Sequence, residues 1–322
     1  MTTQPAVQAR GLVKRYKNKL ALDGVDLVVP RGAVHGLLGP NGAGKTTTVR
    51  ILATLTDADG GEASVAGYDV AAQPREVRRR IGLTGQQTAV DDLMTARQNL
   101  TMFGRLFRLS KTDAQRRADE LLEVFGLAEA ASRSPKKFSG GMRRRLDLAA
   151  SMILAPEVLF LDEPTTGLDP AGRREVWEAV QNLAAQGTTV LLTTHYLDEA
   201  DKLCDRISVI DHGRNFIEDT PAGLKKRIGD ERLEVVVSDL EELKRLGELV
   251  ARTLDAEPAL DEAEARLSVP VPEGVAALTA VAAEIRAQGV EVADIGLRRP
   301  TLDEAFLHLT SAPAETAPKE TQ

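Results

Sequence analysis

Over the first 230 residues, short apolar runs alternate with segments of helical spacing. Val34-His35-Gly36-Leu37-Leu38 reads as a short strand running straight into a glycine-rich turn, and Thr46 to Leu55 then reads as a helix. Val158 to Leu161 and Thr188 to Thr193 are two further buried strands. Ile207 to Ile210, followed by Asp211-His212-Gly213-Arg214, predicts a strand and a hairpin turn. This alternation predicts an α/β domain with parallel strands. Residues 88–150 or thereabouts break the alternation, because they contain no strand pattern. Thr95 to Leu109 and Lys111 to Phe125 are helical by spacing, the second with Leu121, Leu122, Val124 and Phe125 on its apolar side. They predict a helical insertion in the first domain.

The pattern changes from about residue 231. Leu233 to Val237 is strand-like, and Asp239 to Leu254 is an amphipathic helix with Leu240, Leu243, Gly247, Val250 and Leu254 on one face. Leu267 to Val271 reads as a strand, Gly274 to Gln288 as a helix and Val290 to Leu297 as a strand. Thr301-Leu302-Asp303-Glu304 has capping-box spacing and predicts a last helix through Leu309. The expected organisation is an α/β domain over residues 8–228, a small α+β domain over 231–310, and a disordered Ala/Pro/Thr/Glu-rich tail over 311–322.

Charge sharpens this division. From residue 231 onward there are 19 acidic and 9 basic residues; the first 230 hold 29 and 32. A slightly basic first domain suits a polyphosphate ligand, and an acidic second one argues against nucleic acid or anionic lipid as its partner. No run approaches the ~20 apolar residues that span a bilayer, and the polar start Met1-Thr2-Thr3-Gln4-Pro5 does not read as a signal peptide. The single cysteine, Cys204, excludes an intrachain disulfide, fits a reducing compartment and reads as a buried helical residue.

Chemistry concentrates around the predicted strand ends. Gly39-Pro40-Asn41-Gly42-Ala43-Gly44-Lys45-Thr46, with Thr47 beside it, joins a strand to a helix as a phosphate-binding loop does. Its glycines let backbone N–H groups turn inward around a phosphate, and the helix N-terminus points at the same anion. Lys45 adds a charge for the β- and γ-phosphates, and Thr46 a hydroxyl for Mg²⁺. Asp162, ending a buried strand, is placed to hold Mg²⁺ through water, and Glu163 to polarise an attacking water. Gly167-Leu168-Asp169 is a turn carrying a carboxylate, and His195 follows the next strand. Ser139-Gly140-Gly141 precedes an expected helix from Met142 to Leu154 and forms a second anion-binding helix start. A chain that already holds phosphate at Lys45 has no internal use for it. A two-fold dimer would, because each copy's loop can close over the other's nucleotide. Arg143, Arg144 and Arg145 read as a structural and interfacial charge set. Gln86 can reach the metal or the water through its carbonyl oxygen, and Tyr16 can stack on a purine. A guanine-reading motif is absent, since Ala21 stands where Asn18-Lys19-Leu20 would need an acid.

Together these residues resemble the ATP-binding subunits of ABC transporters, over residues from about 8 to 228. The resemblance implies a P-loop NTPase fold of the ABC type. It implies that Tyr16 stacks on adenine, that Gly39 to Thr46 is the Walker A loop, and that Gln86 is the Q-loop glutamine. Ser139-Gly140-Gly141-Met142 is similar to the signature loop. Asp162 and Glu163 correspond to Walker B and the catalytic glutamate, Asp169 to the D-loop and His195 to the switch histidine. Two positions depart from the pattern: Met142 replaces the usual Gln, and Gly85 stands where a Pro often precedes the Q-loop Gln. Within that family the chain resembles the daunorubicin- and doxorubicin-resistance type of drug-exporter ATPase. The segments that carry this are Ile81-Gly82-Leu83-Thr84-Gly85-Gln86, Tyr196-Leu197-Asp198-Glu199-Ala200-Asp201, Val209-Ile210-Asp211-His212-Gly213-Arg214, and Arg299-Pro300-Thr301-Leu302-Asp303-Glu304-Ala305-Phe306-Leu307. The resemblance implies ATP and Mg²⁺ as ligands, a homodimer, a membrane permease on a separate chain docking near residues 86–108, and a place at the cytoplasmic face of the membrane. Efflux of drugs, antibiotics or other amphipathic compounds is the implied task, with no nucleic-acid partner. The alternative is an ATPase of the same family that acts on a macromolecule without a permease.

Overall fold

The structure is a computed structural model that describes residues 4–17, 19–85, 88–227, 231–298 and 301–302. The chain divides into two compact units, Met1–Pro221 and Ala222–Gln322. The expected last helix through Leu309 and the expected tail lie outside the described residues.

The first unit opens with two long strands, β1 (Val7–Tyr16) and β2 (Lys19–Val29), before the buried strand β3 (Val34–Leu38) and helix α1 (Lys45–Leu52). Next come β4 (Gly60–Val65), β5 (Tyr68–Asp69), α2 (Pro74–Arg78) and β6 (Ile81–Thr84). Helices α3 (Ala96–Leu106), α4 (Lys111–Val124) and α5 (Gly140–Ser151) fill the stretch before β7 (Val158–Asp162), with no strand among the described residues between β6 and β7. Then follow α6 (Pro170–Ala185), β8 (Thr189–Thr194), α7 (Leu197–Leu203), β9 (Arg206–Asp211) and β10 (Arg214–Asp219), with α8 (Pro221–Lys226) at the division between the units.

Two sheets result. The larger has the order β10-β9-β3-β8-β7-β6, all parallel except the antiparallel edge strand β10. Its central strands are fully buried apolar runs, as a parallel sheet covered on both faces requires. The smaller sheet, β2-β1-β4-β5, is antiparallel throughout and adds to the expected parallel sheet strands that the sequence reading did not place. Both sheets share one core with α1, in which Leu12, Leu27, Leu37, Leu52, Phe160 and Leu191 are buried. In the parallel sheet the C-terminal ends of β3, β7 and β8 lie side by side, with Asp162 paired in register to Thr193 and Leu38 to Thr194.

Several expected boundaries shift. Helix α1 stops at Leu52 instead of Leu55, since Thr54 turns to φ 59°. Helix α3 stops at Leu106 instead of Leu109, since Arg108 turns to φ 68°. On α4 the buried face runs through Ala114, Ala118, Leu121 and Leu122 to Phe125, while Val124 points outward. Cys204 is buried, as expected, but caps α7 instead of lying within it.

The second unit holds β11 (Arg232–Val237), α9 (Leu240–Leu254), β12 (Ala259–Asp261), β13 (Arg266–Pro270), α10 (Gly274–Gln288) and β14 (Val292–Arg298). Its antiparallel sheet runs β12-β13-β11-β14 and shares a core with both helices. The buried face of α9 is Leu243, Leu246, Gly247, Leu249 and Val250, so the expected contribution of Leu240 is corrected: it is exposed at the first helical position.

One buried polar group bears on stability. His35, the second residue of β3, places Nε2 2.8 Å from Ser208 Oγ, and the Ser208 hydroxyl donates to Glu218 Oε2 at 3.1 Å. Burial lowers its pKa from 6.5 to about 4, against the opposing pull of Glu218. The folded chain holds His35 neutral, so the unfolded chain binds its proton more readily. The neutral state therefore contributes about 3 kcal/mol above pH 6.5, lost as the pH falls from 6.5 towards 4. We expect the unfolding midpoint in urea to drop between pH 7 and pH 5 by less in His35→Gln than in the parent chain. Equal drops in the two would remove His35 as the cause.

Candidate active site

The loop after β3 is held where only glycine fits. Gly44 caps α1 at φ 115°, and a Cβ there would lie 2.8 Å from Ala21 O. A Cβ on Gly39 would meet Ile210 O at 2.1 Å. Lys45 is almost fully buried and donates from Nζ to Gly39 O at 2.7 Å and Pro40 O at 3.1 Å. Burial lowers its pKa, with Glu163 and Asp162 pulling it back up. Asn41, Gly42, Gly44, Lys45, Thr46 and Thr47 line a cavity of about 290 Å³ together with Tyr16, Lys19, Ala21 and Glu163. Gly39 and Pro40 meet that cavity only through their carbonyl bonds to Lys45, and Ala43 packs into the core.

The ends of β7 and β8 supply the carboxylates. Asp162 Oδ1 accepts from Thr193 Oγ1 at 2.6 Å and from Thr46 Oγ1 at 3.1 Å, which joins β7, β8 and the first turn of α1. Glu163 lies at φ 49°, a left-handed backbone that costs about 1–3 kcal/mol for a residue with a side chain. Two bonds hold it there: its N–H donates to Thr193 O and to Thr193 Oγ1, each at 3.1 Å. Its Oε1 lies 3.3 Å from His195 Nδ1. The structure thus brings Tyr16, the phosphate loop, Asp162, Glu163 and His195 together. Gln86 lies outside the described residues.

Ser139 to Met142 stand apart from that cavity. Helix α5 begins at Gly140, two residues earlier than expected, and ends at Ser151 instead of Leu154, because Ser139 is its cap: the Ser139 hydroxyl accepts from Met142 N–H at 3.2 Å. Any residue but proline at 142 can supply that N–H, so Met142 in place of Gln leaves the cap intact. A Cβ on Gly141 would lie 2.9 Å from Gly172 Cα and 2.7 Å from Glu175 Oε2, which makes this glycine a packing requirement between α5 and α6. Asp169 caps α6 and accepts from Gly172 N–H at 3.1 Å, so the Asp169 turn and the Ser139 loop are neighbours.

The three arginines after this loop all have partners within the chain, in line with the structural part of their expected role. Arg143 pairs with Asp92 at 2.5 Å and Arg145 with Glu175 at 3.1 Å. Arg144 is buried and donates to Pro164 O at 2.7 Å and Gly85 O at 2.7 Å, with Asp147 Oδ2 at 3.4 Å. Burial lowers its pKa and raises that of Asp147, whose Oδ1 accepts from Ala89 N–H at 2.8 Å. Sequence reasoning missed the roles of Lys19, Ala21, Thr193 and the Arg144–Asp147 pair. Only the i, i+3 spacing of that pair was visible beforehand.

Removing Arg144 leaves Asp147 buried without its cation. Arg144→Ala should therefore cost about 3–5 kcal/mol in urea unfolding. Arg144→Lys should not restore it, because one ammonium cannot reproduce the forked reach to Pro164 and Gly85. Arg143→Ala, at a more exposed pair, should cost about 1 kcal/mol or less. Equal losses for Arg143→Ala and Arg144→Ala would contradict this ranking.

Comparison with known proteins agrees with this geometry. The ABC transporter family matches residues 22–166. A daunorubicin resistance ATP-binding protein of Streptomyces coeruleorubidus is 64% identical over 305 residues, covering 95% of each chain. A daunorubicin/doxorubicin resistance ATP-binding protein of Streptomyces peucetius is 49% identical over 317 residues, covering 98% of this chain and 96% of that one. Among solved structures, a dimeric ATP-binding cassette in a post-hydrolysis state, bound to ADP and Pi, aligns with a TM-score of 0.60 at 26% identity over 66% of this chain and 98% of its own. The chain belongs to the family of ABC transporter ATP-binding proteins and is an ABC-type ATPase.

Proposed function

We propose that two copies of this chain sandwich two Mg-ATP molecules and that their closure drives a separate membrane permease. The observation that carries this is the position of the Ser139–Met142 helix start. It is built as an anion site, yet it does not line the cavity formed by its own phosphate loop. Each copy's loop closes over the γ-phosphate held by the other.

Within one site, backbone N–H groups of Gly42 to Lys45 cradle the phosphates, Lys45 turns from its loop carbonyls to the β- and γ-oxygens, and Tyr16 stacks on adenine. The adjacent hydroxyl and carboxylate of Thr46 and Asp162 are hard oxygen donors of the kind Mg²⁺ takes alongside phosphate oxygens. The ion would neutralise charge on those phosphates. Glu163 takes the proton of the attacking water, and His195, beside Glu163 Oε1, contacts the γ-phosphate. Gln86 contributes its carbonyl oxygen to the water or the metal, and Asp169 places its turn at the interface between copies.

We place the permease on a different chain; no helix of the described residues is long and apolar enough to cross a membrane. Leu93, Leu106 and Phe107, exposed on the helical insertion, are the apolar side chains that would receive it at the cytoplasmic face. The relatives' names support efflux of drug-like amphipathic compounds as the task. For the second unit we propose a regulatory or dimer-stabilising role.

Glu163→Gln should bind Mg-ATP with its affinity little changed, lose turnover by about 10²-fold or more and run as a dimer in saturating Mg-ATP. Size-exclusion chromatography with light scattering reads the last point. A variant that stays monomeric there would contradict the sandwich.

A further inference from the structure

Glu199 is an acid that no step above uses, and it is fully buried. It lies on α7, whose N-terminus follows His195 and Tyr196 directly. Its Oε1 accepts from Thr165 Oγ1 at 2.8 Å and from Trp177 Nε1 at 3.1 Å, while Oε2 has no hydrogen-bond partner among the described residues. The two donors come from separate places: the loop just after Glu163 and the middle of α6.

The contacts close a ring. From Glu163 the chain passes through Pro164 to Thr165, crosses to Glu199 by a hydrogen bond, and follows the first turn of α7 back through Tyr196 to His195. From there the 3.3 Å contact returns to Glu163 Oε1. Trp177 ties the same carboxylate to α6, the helix that Asp169 caps. A buried carboxylate is a poor stabiliser compared with an apolar side chain of similar size, so its value here lies in fixing a geometry. The geometry in need of fixing is that of Glu163, whose left-handed backbone is held through its N–H by Thr193 and, at 3.4 Å, through its carbonyl and carboxylate by Thr166.

We propose that Glu199 is a positioning residue for ATP hydrolysis: through Thr165 on one side and the start of α7 on the other, it sets the separation of Glu163 and His195. The proposal rests on the assignment of those two residues as the hydrolytic pair. It concerns orientation and not nucleotide affinity, because Thr165, Trp177 and Glu199 do not line the cavity at the phosphate loop.

The test uses the full chain and single-turnover hydrolysis at saturating and limiting Mg-ATP. Thr165→Val removes one hydroxyl while keeping the side chain's shape; Thr165→Ser keeps the hydroxyl; Glu199→Gln keeps the volume. The expected result is a tenfold or larger fall in the rate at saturation for Thr165→Val and Glu199→Gln, with the ATP concentration at half-saturation within threefold of the parent. Thr165→Ser should return to within twofold of the parent rate. Trp177 is the only tryptophan, so its fluorescence reports whether the carboxylate contact has changed in each folded variant. Should Glu199→Gln fail to fold, the Thr165 pair decides alone. A Thr165→Val rate within twofold of the parent, beside an inactive Glu163→Gln, would overturn the proposal and leave the hydrolytic pair standing. An active Glu163→Gln would instead overturn the pair's assignment. A loss in Thr165→Val that Thr165→Ser fails to recover would also count against the proposal.

Discussion

The Thr193 hydroxyl is the joint on which the site depends. It donates to Asp162 Oδ1 and accepts from the Glu163 N–H, while Asp162 reaches on to Thr46 at the start of α1. Three elements that meet only at the end of a parallel sheet are locked by side chains of three consecutive types: hydroxyl, carboxylate, hydroxyl. The register of β7 and β8, which sets Asp162 opposite Thr193, is what makes the lock possible. A one-residue slip of either strand would turn its side chain to the opposite face of the sheet from its partner's.

A second constraint is steric. Gly141 and Gly172 let α5 and α6 approach so closely that a methyl group on Gly141 would collide with the facing backbone. That approach brings the Ser139 cap beside the Asp169 cap, so two helix starts sit together away from the phosphate cavity. The glycines of this loop thus answer to packing as well as to any anion. In the proposed dimer, the same surface meets the nucleotide held by the other copy.

The parallel strands and the residues at their ends were legible because the signals are local. A short apolar run with an acid or a glycine loop at its end identifies itself. The antiparallel sheet was not legible, since register shifts between Ala9 and Leu12, and again near Lys14, break the alternation that marks a half-buried strand. On α4, spacing alone placed Val124 with Leu121, but small Ala114 and Ala118 set the buried face and carry little hydrophobic signal. Arg144 and Glu199 were invisible as site residues for a different reason: their partners come from segments distant in sequence, and only folding brings those together. The Ser139 loop was recognisable in sequence, and the structure adds that its cap needs only the backbone of residue 142.

The central claim, that each nucleotide is enclosed by two copies, is tested most directly by cross-linking between chains. The one native cysteine, Cys204, is buried, so introduced thiols dominate the chemistry. One preparation would carry Asn41→Cys in the phosphate loop and a second Met142→Cys beside the Ser139 cap; mixed under mild oxidation, they can join these two sites only between chains. The account predicts a covalent two-chain species in saturating Mg-ATP and little without nucleotide. Its absence in saturating Mg-ATP would contradict the account.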